Sequence, residues 1–239
     1  MINFFRKIRR QLANDNKFLQ YSRYALGEIV LVVLGILLAL QINNWNEDRK
    51  KKQEERFLLE NLLENLQINL ELLNSGTLQL EELNASSEII LDALSGKSTY
   101  SDTLDHHFFQ AALRGQLKVQ LQYDAYEAYK NIGFDAIRSK TIQNKLILLF
   151  ENTYGRLNEW AVYLRELAPF DHEYWTMNFI QSDDALKPIK YANGSIDDSF
   201  ISYYQGVLRT RKALIRLSEE SINETETTLS AIEDALAAF

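Results

Sequence analysis

From Ile29 to Leu40 the chain runs apolar without interruption, and Tyr24–Ile42 (YALGEIVLVVLGILLALQI) extends that run to nineteen residues. A bilayer core of about 30 Å needs about 20 helical residues, so the stretch predicts one membrane crossing with its ends near the two interfaces. Trp45, just past Asn43 and Asn44, suits the aromatic belt at the far interface. Glu28 falls about one turn inside the span, where it reaches back to the headgroups, is protonated or meets a neighbouring subunit. Before the span, Phe4, Phe5, Ile8 and Leu12 recur at helical spacing with Arg6, Lys7, Arg9 and Arg10 between them. That pattern predicts a short amphipathic helix in the headgroup region, the alternative being a basic tail that sets topology. A cleaved signal peptide fits poorly, because Leu37 precedes Ala39 where a small residue is wanted.

Past Trp45 the period changes. Leu59, Leu66, Leu73, Leu80, Ser87 and Leu94 repeat every seven residues, with Leu62, Asn69, Gly76, Leu83 and Ile90 as partner positions and Leu63, Leu70 and Leu91 alongside. The stripe is wider than a two-stranded coiled-coil seam and predicts one stalk helix in a bundle, with Asn69 and Gly76 marking a kink. Ser95-Gly96 ends it.

The middle section predicts shorter elements. Residues 104–114 form a short helix, and Leu117, Val119, Leu121 and Tyr123 alternate as a short extended segment. Asp124 and Glu127 resemble a capping box opening a helix that Gly133 closes. A longer helix spans Thr141 to Ala168, with Ile142, Leu146, Leu149, Phe150, Leu157, Trp160, Leu164 and Leu167 on one side, and Pro169 stops it. Residues 170–198 read as irregular, with turns at Asp183-Asp184, Pro188 and Asn193-Gly194. From Ile201 through Tyr204, Leu208, Arg211, Ile215, Ser218, Ile222, Thr225, Leu229, Ile232 and Leu236 to Phe239, threes and fours alternate, predicting one long final helix.

The resulting fold is all-α: a transmembrane helix continuing into a long stalk helix, packed against a long antiparallel C-terminal helix with shorter helices between. Its parts are a basic leader (1–23), the span (24–43), the stalk (44–96), a middle section (97–198) and the last helix (199–239). Two prolines and nine glycines in 239 residues suit long helices.

Charge sharpens this picture. The net charge is −7, yet residues 1–43 carry six Lys or Arg against Asp15 and Glu28, while the remainder carries 20 basic and 31 acidic side chains. The acidic body argues against nucleic acid as a partner, and the basic leader points to membrane lipid. Arg49, Lys50, Lys51, Lys52 and Arg56 follow the span, but the first flank is basic over its whole length. We therefore place the amino terminus in the cytoplasm and the body in the periplasm, with the span in the inner membrane.

The opening MINFFRKIRRQL and the run YALGEIVLVVLGILLALQINNWNEDRK resemble single-span membrane proteins of Bacteroidota grouped as domain-of-unknown-function family 6090. The resemblance is specific over residues 1–56, returns at Tyr126–Gly133 and in the last helix, and departs around 115–123. It implies a bacterial envelope location and a helical body, and no activity.

Candidate chemistry is sparse. Cysteine is absent, which removes disulfides, thiolate catalysis and cysteine metal sites. His106, His107 and His172 lack metal-ligand spacing, Gly96-Lys97-Ser98 lacks the earlier glycine of a phosphate loop, and no hydrolase or dinucleotide motif occurs. No catalytic residue, metal site or cofactor is expected. Tyr123, Tyr126, Tyr129, Trp160, Tyr163, Tyr174 and Trp175 cluster in the middle section. They either fill a helix junction or form a binding surface, for which Tyr126, Tyr129, Trp160, Tyr163 and Trp175 are the candidates. The expected role is a noncatalytic scaffold, sensor or assembly subunit, with a homo-oligomer or an envelope protein as partner. The alternative is a tethered receptor or enzyme using the aromatic section.

Overall fold

The computed structural model describes residues 18–95, 101–113, 120–189 and 198–239. The leader residues Phe4, Phe5, Arg6, Lys7, Arg9 and Arg10 lie outside these, as do Leu117, Val119 and the Asn193-Gly194 turn. The chain divides into two compact units, Met1–Glu54 and Glu55–Phe239.

Helix α1, Phe18–Leu94, passes through both units. In the first unit it carries an apolar window long enough to cross a membrane, and none of that window is buried. Leu31, Leu34, Leu37 and Leu40 all stand exposed, as do Glu28 and Trp45. The Arg49 guanidinium lies 5.8 Å from the Trp45 ring centroid, and Asn43 Nδ2 donates to Glu47 Oε1 one turn on.

The second unit is built on the seven-residue repeat. Leu59, Leu66, Leu73, Leu80, Ser87 and Leu94 are all buried, and so are Leu62, Asn69, Gly76, Leu83 and Ile90. Each leucine so placed contributes about 1.5–3 kcal/mol over an exposed one. Neither Asn69 nor Gly76 interrupts the helix. Asn69 is instead a dock: its Nδ2 donates to the Gln122 carbonyl at 2.9 Å, and the Gln122 N–H donates back to Oδ1 at 2.6 Å.

Around this stalk lie α2 (Thr103–Leu113), α3 (Asp124–Ile132), α4 (Lys140–Ile147), α5 (Tyr154–Asn178) and α6 (Asp198–Ala237). A single 3₁₀ turn, Phe134–Ala136, leads from α3 towards α4. Gly133 ends α3 at φ 115°, a conformation only glycine adopts freely. The capping box does not form, because Tyr123 takes the N-cap place without a side-chain bond. Asp124 instead sits inside the first turn, where its charge complements the helix dipole.

Bonds between α1 and α6 run in opposite order along the chain, which makes the pair antiparallel. Thr77 meets Ser218 at 2.6 Å, while further along α1 Ser87 accepts from Arg211 at 3.0 Å and Glu88 pairs with Lys212 at 2.6 Å. Helix α5 also lies antiparallel to α6, through Tyr154–Thr225 at 2.7 Å and the Arg156–Glu220 ion pair.

Pro169 does not end α5, which continues to Asn178. An interior proline forfeits a backbone bond and costs about 3 kcal/mol. Burial of Trp175 and Phe179 beyond it offsets that loss: both pack on Phe108 of α2, with centroids 6.0 and 5.1 Å away. Residues 179–188, expected to be irregular, form a two-stranded antiparallel hairpin, β1 (Phe179–Gln181) with β2 (Leu186–Pro188), turning at Asp183-Asp184. Phe179 lies opposite Pro188.

Two buried clusters result. The larger joins Leu59–Leu80 of α1, Tyr126 and Tyr129 of α3, Leu146 of α4, Tyr154 and Leu164 of α5, and Leu214 and Ile232 of α6. The smaller is aromatic and gathers Phe108, Trp175, Phe179, Leu186 and Tyr204 against Ile90 and Leu94.

Replacing Asn69 with Ala leaves the Gln122 N–H and carbonyl without their partners. Unfolding in urea should show a loss of about 1–3 kcal/mol, the cost of stranding such groups; an unchanged midpoint would refute the dock.

Candidate functional site

Between α4 and α5 the helix changes period. Leu148–Thr153 is a π-turn, in which the Tyr154 N–H reaches back to the Leu149 carbonyl and Thr153 Oγ1 donates to Leu148 O at 3.3 Å. An α-helix advances about 100° per residue and a π-turn advances less, so the buried face downstream is set back from the one upstream. Counted in α-helical steps from Ile142, Trp160 falls on the inward stripe. With the π-turn in place the inward residues are Leu157, Ala161 and Leu164, and Trp160 stands 41% exposed.

This divides the aromatic candidates. Tyr126 and Tyr129 are almost fully buried in the larger core, and Trp175 in the smaller. Tyr126 stacks face to face on Phe150 at 4.3 Å, and Tyr129 meets Phe134 edge-on at 5.4 Å. Trp160 and Tyr163 are the exposed pair, their rings T-shaped at 6.1 Å. They line a groove between α5 and α6 together with Glu159, Gly206, Arg209 and Thr210, with a cavity volume of about 520 Å³. That lies within the range of small-molecule sites.

The groove carries unused polar capacity. Among the described residues, Glu159, Trp160, Tyr163 and Arg209 have no hydrogen-bond or ion-pair partner, whereas Thr210 Oγ1 donates to Gly206 O at 3.1 Å. A Cβ added at Gly206 would meet nothing within 4 Å, so this turn of α6 leaves the floor open.

A second polar arrangement sits at the outer edge of the larger core. Glu151, within the π-turn, accepts from Tyr126 Oη at 3.1 Å and from Lys130 Nζ at 3.1 Å; Lys130 also bonds Glu127 at 3.2 Å. Those bonds, Lys130 first and Tyr126 second, hold the Glu151 carboxyl below its usual range. The Tyr126 hydroxyl is pushed up, chiefly by burial and then by its bond to Glu151. Burial, followed by the charge of Asp135, raises Tyr129 to about 12. Such groups are held neutral and make poor proton carriers near neutrality.

Arg211 is 1% exposed, a residue the long C-terminal stripe placed inward. Its Nη1 donates to Ser87 Oγ and its Nη2 to Ala111 O, each at 3.0 Å, so it ties α6 to both α1 and α2. The His106 and His107 rings meet edge-on at 6.1 Å. His107 Nδ1 lies 3.2 Å from Ser86 Oγ, with its pKa lowered by burial and then by His106; His106 contacts Gln110, and His172 is exposed. Among the described residues, no three of His, Asp or Glu are grouped to hold a metal.

Residues 28–110 match the profile of a family of unknown function (DUF6090), a region that takes in the exposed apolar segment, the stalk repeat and most of α2. Neither a curated protein nor a solved structure matches the chain.

The raised tyrosines give alkaline stability a sign. An unfolded tyrosine titrates near 10, while Tyr129 holds its proton to about 12. Between these values the unfolded chain sheds protons that the folded chain keeps, so stability falls as pH rises. The urea midpoint should drop across that window, and Tyr129→Phe should flatten the decline; an equally steep decline in that variant would contradict the assignment.

Proposed function

We propose that this chain is a membrane-anchored, noncatalytic helical protein of the bacterial cell envelope, acting as a scaffold, sensor or assembly subunit. The observation that carries this reading is the exposed apolar segment of α1. Between Leu26 and Ile42 the large apolar side chains all face solvent, although the second unit has buried cores of its own. Exposed apolar surface on this scale is costly in water and is expected in lipid. The match of residues 28–110 to an uncharacterised family is compatible with this reading and names no activity. In our reading the amino terminus is cytoplasmic, the body periplasmic, and the partner an envelope protein or a second copy of the chain. A tethered receptor is the second reading, favoured by the groove at Trp160 and Tyr163.

In membrane fractions the wild-type chain should resist alkaline carbonate extraction. Leu34→Lys with Leu37→Lys, which places two charges where each is costly, should release most of it to the soluble fraction. A wild-type chain washed off by carbonate would end the anchor reading. For orientation, a carboxy-terminal reporter active only in the periplasm should give signal, and a cytoplasm-only signal would reverse the topology.

A further inference from the structure

The α5–α6 groove has a charge of each sign on its lining, and the two do not meet. Glu159 projects from α5 and Arg209 from α6; among the described residues neither has an ion-pair partner. Trp160 and Tyr163 give the same groove an apolar shelf, and Gly206 adds no side chain to its lining.

Each element selects a ligand feature. Arg209 offers a planar fork of donors that matches a carboxylate. Glu159, beside two aromatic faces, suits an ammonium, which both the carboxylate and the ring quadrupoles attract. A dianion is disfavoured by Glu159 and a dication by Arg209. The shelf takes an apolar group.

Size sets the length: a cavity of about 520 Å³ falls in the small-molecule range, which suits a chain of two or three residues rather than a long segment. We propose that this groove binds short zwitterionic peptides, with the terminal ammonium on Glu159, the terminal carboxylate on Arg209 and an apolar side chain on Trp160 and Tyr163. Such binding is independent of membrane anchoring, because every residue involved belongs to the second unit.

The probe is the tripeptide alanyl-leucyl-alanine, titrated calorimetrically into the full chain in detergent. Three forms are compared: free termini, amino-acetylated and carboxy-amidated. The free form should bind, and each cap should weaken binding roughly tenfold, the scale of one charge-assisted contact. Acetylation should cost nothing further in Glu159→Gln, and amidation nothing further in Arg209→Gln. Both side chains are exposed, so circular dichroism should show both variants folded. Gly206→Leu keeps helical backbone and fills the groove, so it should abolish binding while leaving the melting temperature unchanged or higher. Three results would overturn the proposal: no binding of the free tripeptide at millimolar concentration, equal binding of capped and free forms, or cap effects that persist in the matched variants.

Discussion

A leucine seam that repeats every seven residues does not determine its own alignment. Sliding one helix past another by a heptad, about 10 Å, returns leucine to leucine at little loss of apolar contact. Buried polar groups remove that freedom, because each must find its partner in the dry interior. Thr77 with Ser218, Ser87 with Arg211 and Tyr204, Tyr154 with Thr225, and Asn69 with the Gln122 backbone all lie on the packed faces. A slide of one heptad would set the Arg211 guanidinium against leucine, and an uncompensated buried charge costs several kcal/mol. The antiparallel alignment of α6 against both α1 and α5 depends on these few bonds, and the leucines then supply the bulk of the cohesion.

Much of the architecture was legible because it rests on periodicity. The stalk repeat, including its irregular members Ser87, Asn69 and Gly76, is buried as its spacing predicts, and the last helix spans nearly the expected residues. What was not legible depended on contacts remote in sequence. Pro169 reads as a stop on local grounds, and nothing near it reveals that Trp175 and Phe179 will find Phe108 across the fold. Asn69 reads as a dent because its Gln122 partner lies on a segment with no regular structure. The exposure of Trp160 was hidden for a subtler reason: an α-helical count assumes constant rotation, and the π-turn at Leu148–Thr153 breaks that assumption without any proline or glycine to mark it.

The aromatic residues therefore serve two ends. Tyr126, Tyr129, Trp175 and Tyr204 fill junctions, and the three tyrosine hydroxyls are bonded: Tyr126 to Glu151, Tyr129 to Phe134 O, Tyr204 to Ser87. Trp160 and Tyr163 instead face outward beside uncommitted charges. Composition alone does not separate the two groups, since Trp160 and Tyr163 fall between Tyr129 and Trp175 and all six lie on helices. Burial separates them, and burial is settled by the helix register.

That register ties the groove to a single structural event. A π-turn is equivalent to an α-helix that has accepted one additional residue and kept its flanks. Between Leu146 and Leu157, the loss of one codon would therefore relax the turn to plain α-helix and leave Trp160 facing outward, whereas straightening the turn at constant length would rotate Trp160 towards the interior. The groove thus depends on a surplus of one residue, held in a segment that supplies none of its lining.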